Sequence, residues 1–238
     1  MNASESEAPD YRELLARYGR SHWWIAGMRQ ITWAVLGQAS GCLLDVGCGP
    51  GWLLAELPLG LRGVGIDFQV QFAVARPVVT SDMCNLPFPA NTFDVVTALD
   101  VLEQECVEPL QALAEVRRVL VPGGRLLVRV PAYPRLYGPH DLMWGGARRY
   151  RREELGDLVQ DAGFTVRRLT FANSLLLPIG AFERLAARSN LSDGNDVRPL
   201  PALLNRLLLG ILALEARWLR THDFRAGLSL LCMAERRA

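Results

Sequence analysis

The chain reads as an α/β protein with a mostly parallel sheet, and three observations carry that expectation. Short apolar runs alternate with segments of helical spacing along most of the 238 residues. The run Phe93 to Leu99 is continuous and β-rich rather than alternating, as a strand buried on both faces is. The first run, Cys42-Leu43-Leu44, ends in Asp45 and enters a loop with glycines at 47, 49 and 51. Strand, glycine turn, helix is how an open sheet builds a ligand pocket at the carboxyl end of its first strand.

The elements follow in order. Tyr11 to Gly37 has helical spacing through Leu14, Leu15 and Tyr18, then Trp23, Trp24, Met28, Ile31 and Val35. It precedes the first strand and could cap the pocket. Trp52 to Leu57, after the glycine loop, is helix-like. Arg62 to Asp67 is a short strand ending in an acid. Pro109 to Leu120 is helical, Pro122-Gly123-Gly124 is a turn, and Arg125 to Val130 is the next strand. Glu153 to Ala162 is a helix closed by Gly163. Phe164 to Thr170 and Leu228 to Ala234 are two late strands. Between them lies an insertion with two leucine-rich segments around a polar break, Ser189 to Arg198. The expected organisation is a helical cap over 1–40, a core over 41–172, the insertion over 173–226 and a last strand over 227–238. In the insertion Leu204, Leu207, Leu208, Ile211, Leu214 and Trp218 share one helical face. That face is either a lid or dimer helix packed on the core, or a surface that meets an apolar substrate or a membrane; arginines at 206, 217 and 220 keep the second reading open.

Composition narrows the class. Half the residues are apolar and the formal net charge is +1, so no charge excess advertises a nucleic-acid partner. All 26 basic residues are arginine, which removes a P-loop lysine and a Schiff-base lysine from consideration. Five cysteines without C-x-x-C spacing argue against a disulfide framework or a zinc site and fit a reducing cytosol. Met1 to Asp10 is acidic and polar, unlike a signal peptide. No run reaches the apolar length of a spanning helix.

The glycine loop points to an adenosine-containing cofactor, and its spacing decides which. A dinucleotide loop is G-x-G-x-x-G, with a pyrophosphate on the helix N-terminus. Here the spacing is G-x-G-x-G, and Asp45 stands two residues before the first glycine. An acid there repels a pyrophosphate and suits a cationic ligand. Asp45-Val46-Gly47-Cys48-Gly49-Pro50-Gly51 resembles motif I of the class I S-adenosylmethionine-dependent methyltransferases. The resemblance is to the small-molecule type, similar to methyltransferases of ubiquinone and menaquinone biosynthesis. It covers about residues 20 to 172 and the final strand. It implies a Rossmann-like, seven-stranded, mostly parallel sheet with an antiparallel last strand and helices on both faces. It implies S-adenosyl-L-methionine as cofactor and S-adenosyl-L-homocysteine as product.

The resemblance also implies roles for individual residues. Asp45, Gly47, Cys48, Gly49 and Gly51 would wrap the methionine part of the cofactor. Asp67 ends the second strand where an acid takes both ribose hydroxyls, with Phe68 beside it; capping a helix is the competing role. Asp82 and Met83 resemble the segment that holds the adenine, although the stretch from Asp67 to Asp82 is shorter than usual. Leu99 stands at the end of the fourth strand, beside the expected sulfonium. Relatives commonly carry Leu-Glu-His here, and this chain has Leu102-Glu103-Gln104. A glutamine donates and accepts hydrogen bonds but takes no proton at neutral pH. Val130-Pro131-Ala132-Tyr133, Gly138-Pro139-His140-Asp141 and Arg148-Arg149-Tyr150 resemble the substrate loop of a sub-group that begins with a His-Trp-Trp motif, here His22-Trp23-Trp24. That sub-group usually has a second histidine where Gly145-Gly146-Ala147 stands.

These readings give His140, Gln104 and Tyr150 as catalytic candidates and His22, Trp23, Trp24, Tyr133, Asp141 and Arg149 as substrate-binding candidates, with no metal. The expected function is methyl transfer to a small, apolar, lipid- or polyketide-like acceptor in the cytoplasm, by a monomer or homodimer without a nucleic-acid partner or transmembrane segment. Peripheral contact with a membrane stays open. The alternative is the same fold holding the cofactor for a non-methylating, cyclase-type reaction, or for no reaction. A nicotinamide-dependent oxidoreductase is disfavoured by the glycine spacing.

Overall fold

The computed structural model describes residues 20–68, 73, 77–188 and 200–237. The first part of the expected cap, through Tyr18, and the polar break of the insertion lie outside those residues. Seven strands form one sheet: β1 Gly41–Val46, β2 Leu61–Asp67, β3 Val78–Thr80, β4 Phe93–Leu99, β5 Leu120–Pro131, β6 Phe164–Ala172 and β7 Ser229–Arg236. Their order is β3-β2-β1-β4-β5-β7-β6. β7 runs antiparallel to both β5 and β6, and the other pairs are parallel.

Six helices complete the described residues: α1 Trp23–Leu36, α2 Pro109–Val119, α3 Pro139–Met143, α4 Arg152–Asp161, α5 Leu177–Arg188 and α6 Ala202–Trp218. The period of two along each strand divides the core. Leu44, Val96, Leu126 and Val128 face α2 and α4 through Leu113, Val116, Leu155 and Val159. Leu43, Val95, Leu127 and Leu231 face α1 and α6 through Met28, Ile31, Leu212 and Ala216. The N-terminal helix and the insertion helix therefore share one layer. Their closeness depends on Gly27, where a Cβ would stand 2.4 Å from Leu212 Cδ1.

Two local expectations are corrected. Trp52 to Leu57 forms only a 3₁₀ turn, Leu54–Glu56. Pro58 follows at once and keeps Leu57 extended, at φ −62° and ψ 133°. Pro122-Gly123-Gly124 does not separate helix from strand. It lies inside β5 as a bulge, where pairing with β4 steps from Phe93↔Leu120 to Val95↔Arg125. The strand register sets the edge from which the glycine loop departs: Val46 sits opposite both Ile66 and Ala98, so β1, β2 and β4 end together.

Candidate active site

The glycine loop leaves β1 at that shared edge. Cys48 N–H donates to the Ile66 carbonyl at 2.9 Å, and Gly49 N–H donates to Asp67 Oδ2 at 2.8 Å. The acid at the end of β2 thus clamps the loop it was expected to serve beside. Gly47, Gly49 and Gly51 hold φ of 65°, 52° and 83°, the left-handed region that side chains disfavour. A Cβ on Gly47 would stand 2.4 Å from Val101 Cγ2, whereas nothing lies within 4 Å of a Cβ on Gly49. One glycine permits close packing below the loop, and the other leaves open space above it.

Asp45 is 3% exposed and accepts a hydrogen bond from Thr97 Oγ1 at 2.7 Å. Burial pushes its carboxyl up to about 7, against the opposing pull of Thr97 and Arg129. A cation placed near it would favour the ionised form. Burial likewise raises the Cys48 thiol, so no thiolate is available in the loop. Met83 points its side chain into the core, leaving only its backbone for a ligand. Asp82 is exposed and accepts the Cys84 N–H at 2.8 Å, and Phe68 is half-exposed beside Asp67. Open backbone above Gly49, a buried acid below the loop and an acid at the end of β2 fit a ligand with a ribose and a cationic amine.

A cavity of about 250 Å³ opens against the segment that follows β4. Asp100 lines it, and the next residue, Val101, is the one packed under Gly47. The structure brings His22, Trp24, Gln104, His140, Asp141 and Arg149 together on its wall. It does not bring Trp23, Tyr133 or Tyr150 there. Trp23 packs among α1 and α6, and its N–H donates to Asn205 Oδ1. Tyr133 stacks on Phe171 at 5.6 Å between ring centroids. Tyr150 is buried and its hydroxyl donates to the Leu102 carbonyl at 2.8 Å; burial also raises its pKa. Through this bond Tyr150 is tied to the segment after β4, and it stands off the cavity wall.

Two more candidates change role. Arg149 and Asp141, both about 5% exposed, form a pair with Arg149 Nε 2.9 and 3.0 Å from the two carboxylate oxygens. Asp141 also accepts the Gly138 N–H, and Arg149 donates to the Ala132 carbonyl. The pair ties α3 to the segment before α4 and, through Ala132, to the end of β5. Gln104 donates to the Asp100 carbonyl at 3.4 Å; turned over, its amide reaches the carbonyls of Trp144 at 2.9 Å and Gly145 at 3.3 Å. It ties the segment after β4 to the turn at Trp144–Gly146.

Trp144, Asn173 and Arg184 on the wall were not foreseen, and Asp100 and Glu103, in the segment placed beside the sulfonium, were not named as site residues. Asp100 holds φ 58° and pairs with Arg129 at 2.9 and 2.5 Å. The Arg129 guanidinium in turn lies 5.5 Å from the Trp24 ring centre. A signal existed, since Arg129 interrupts an apolar strand and a buried charge needs a partner. A larger depression, about 710 Å³, opens at the amino ends of β4 and β5, opposite the loops where such sheets bind ligands.

Residues 44–128 match the family model described as a methyltransferase domain. An uncharacterized 37.1 kDa protein in transposon TN4556 of Streptomyces fradiae is 32% identical over 200 residues, covering 71% of this chain and 57% of that protein. The ubiquinone/menaquinone biosynthesis C-methyltransferase UbiE of Paraburkholderia phymatum is 46% identical over 65 residues, 27% of this chain and 26% of that protein. The chain thus spans little more than half of the first relative's length and about a quarter of the second's. Among solved structures, the cyclase SpnF matches with a TM-score of 0.57 at 21% identity, over 90% of this chain and 82% of that one. The strand order, with its antiparallel β7, defines a Rossmann-like fold of the methyltransferase type. The matched segment, residues 44–128, is a methyltransferase domain of the class I S-adenosylmethionine-dependent type, whose cofactor is S-adenosyl-L-methionine.

Proposed function

We propose that the protein methylates a small organic acceptor whose reacting end occupies the cavity lined by His22, Trp24 and His140. The observation that carries this reading is adjacency: the cavity begins at Asp100, one residue from the side chain that packs under the glycine loop. When bound, S-adenosyl-L-methionine supplies an already activated methyl group. Asp45 and the loop glycines would hold its methionine part, Asp67 its ribose and the Asp82–Met83 backbone its adenine.

The chain's own task is orientation, which can be worth roughly 7–11 kcal/mol. Trp24, Ile25, Trp144 and Leu228 line the cavity and would hold an apolar group in place. The volume is that of about eight water molecules, so a ring or chain end fits and a whole polyketide does not. Exposed Ile179, Phe182 and Leu185 on α5, together with Leu142 on α3, offer apolar ground for the rest of a lipid-like or natural-product acceptor. Five free cysteines fit a reducing compartment such as the cytosol. Among the described residues no helix is long and apolar enough to cross a membrane.

Two experiments test the reading. Titration with S-adenosyl-L-homocysteine should release heat, and titration with NAD should not; NAD binding alone would refute it. Incubation with candidate acceptors should add the mass of one CH₂ group. The absence of a family histidine at Gln104 keeps a second reading in view. Conversion of an acceptor without added mass would mean cyclase-type chemistry on the same fold.

A further inference from the structure

Glu103 is the buried acid that no structural role accounts for. It is 5% exposed and lines the cavity. Its backbone is committed, since the carbonyl accepts the Ala147 N–H at 2.8 Å. One oxygen of its side chain, Oε2, is buried and has no hydrogen-bond partner among the described residues. Asn173, also 5% exposed and on the same wall, has a buried Oδ1 in the same condition. A buried oxygen without a donor is costly and rare in native proteins. Two on one cavity wall mark the place of a ligand that donates hydrogen bonds. The nearby cations do not answer them, because Arg149 is held by Asp141 and Arg129 by Asp100.

We propose that Glu103 is the base of the acceptor site, taking the proton of an O–H or N–H group as that heteroatom is methylated, with Asn173 Oδ1 accepting a second hydrogen bond from the same molecule. This rests on the methyl-transfer reading. The bond formed is acceptor heteroatom to methyl carbon, and the bond broken is methyl carbon to sulfur. The sulfonium becomes a neutral thioether, and the acceptor's proton moves to Glu103 Oε2. Charge and atoms balance without a further reactant. The substrate class is a hydroxyl- or amine-bearing compound with an apolar body. A carboxylate or phosphate would set its oxygens against those of Glu103 and Asn173.

The surroundings suit the task. Burial, then the neighbouring Asp100 carboxylate, push the Glu103 carboxyl well above the usual range; Arg129 opposes and Asp141 adds. Arg149, Arg184, His22 and His140 share the cavity, and Tyr150 lies behind it. A base works best when its pKa approaches the working pH. Gln104, at the position of the family histidine, takes no proton. The carboxylate one residue earlier fills that office.

The test compares the wild type with Glu103→Gln, a neutral isostere of the protonated side chain, so thermal midpoints should coincide at pH values where Glu103 carries its proton. Both proteins should bind S-adenosyl-L-homocysteine equally; a wild type that does not bind it overturns the methyl-transfer reading instead. With that product bound, phenol, benzylamine and benzoate are titrated while the carboxyl carbon of ¹³C-labelled Glu103 is followed by NMR. Phenol or benzylamine should move the Glu103 signal, and benzoate should not. A preference for benzoate, or a Glu103 signal that none of the three disturbs, overturns the proposal. With S-adenosyl-L-methionine, the probe that binds should gain a methyl group. Its kcat should rise with pH through the titration of Glu103 and fall about 100-fold in Glu103→Gln, with KM little changed. Bound probes that are never methylated, or a pH limb that survives in Glu103→Gln, remove Glu103 as the base.

Discussion

The two halves of the site are built from different materials. The cofactor half is backbone: glycines in the left-handed region, amides bonded to β2, and one carboxylate clamping the loop. The half proposed for the acceptor is side chains: two ion pairs, Asp141–Arg149 and Asp100–Arg129, with the Trp24 ring beside the Arg129 guanidinium. Backbone geometry makes a site that recognises a constant ligand. Paired charges make a frame whose lining can change while the frame stands.

Substitutions in each half should separate them. The largest effect is expected from Arg149→Met, which leaves the Asp141 carboxylate buried and unpaired. It should cost about 3–5 kcal/mol in denaturant unfolding. The double variant Asp141→Leu with Arg149→Met should recover most of that loss. S-adenosyl-L-homocysteine affinity should stay within a few-fold in both. Affinity lost in step with stability would mean the halves are one unit.

Asp67→Ala should do the reverse. Loss of charge-assisted bonds, at roughly 1.5–3 kcal/mol each, should weaken S-adenosyl-L-homocysteine binding about 100-fold by calorimetry. Unfolding should move far less than for Arg149→Met. Unchanged affinity would refute the ribose assignment.

The two loop glycines refine the contrast within the cofactor half. Gly47→Ala drives a methyl into Val101 and should destabilise the fold by about 1–3 kcal/mol. Gly49→Ala meets no neighbour, so it should cost only backbone strain, about 1 kcal/mol, yet impair cofactor binding. Equal stability losses would mean that the space above Gly49 is not where the ligand lies.

A further contrast concerns pH. The folded Asp45 carboxyl titrates near 7 rather than at its ordinary 3.8, so between those values the folded state holds more protons than the unfolded chain. Its contribution to stability is full below about 4 and is lost as pH rises through about 7. Asp45→Asn should flatten that decline in the ligand-free protein, as measured by thermal midpoints from pH 4 to 8. A decline of the same slope in Asp45→Asn would assign it to another group, Glu103 first.

Much of the architecture was legible because its signals are contiguous. The apolar runs placed β2, β4 and β6 to within a residue or two, and the glycines with Asp45 marked the loop. Failures came where a neighbour outside the local pattern intervened. Pro58 cut the helix after the loop to a single turn, and the Pro122-Gly124 turn joined a strand because β4 could pair around it. In the other half the candidates His22, Trp24, His140 and Arg149 were brought to one cavity, Arg149 already paired with Asp141, whereas Tyr150 was turned to a carbonyl.

What the chain specifies locally is the cofactor half: strand, acid and glycines lie within eleven residues, 41–51, so neighbours in sequence are neighbours in space. Asp67 joins them because parallel pairing of β1 and β2 ends both strands at one edge. The acceptor half depends on burial and on which charges meet. Glu103 looks like any acid after a strand until its oxygen is seen without a partner, and Arg129 looks solvated until Asp100 and Trp24 close on it. Spacing encodes backbone shape, but the cost of a buried charge is set by everything folded around it.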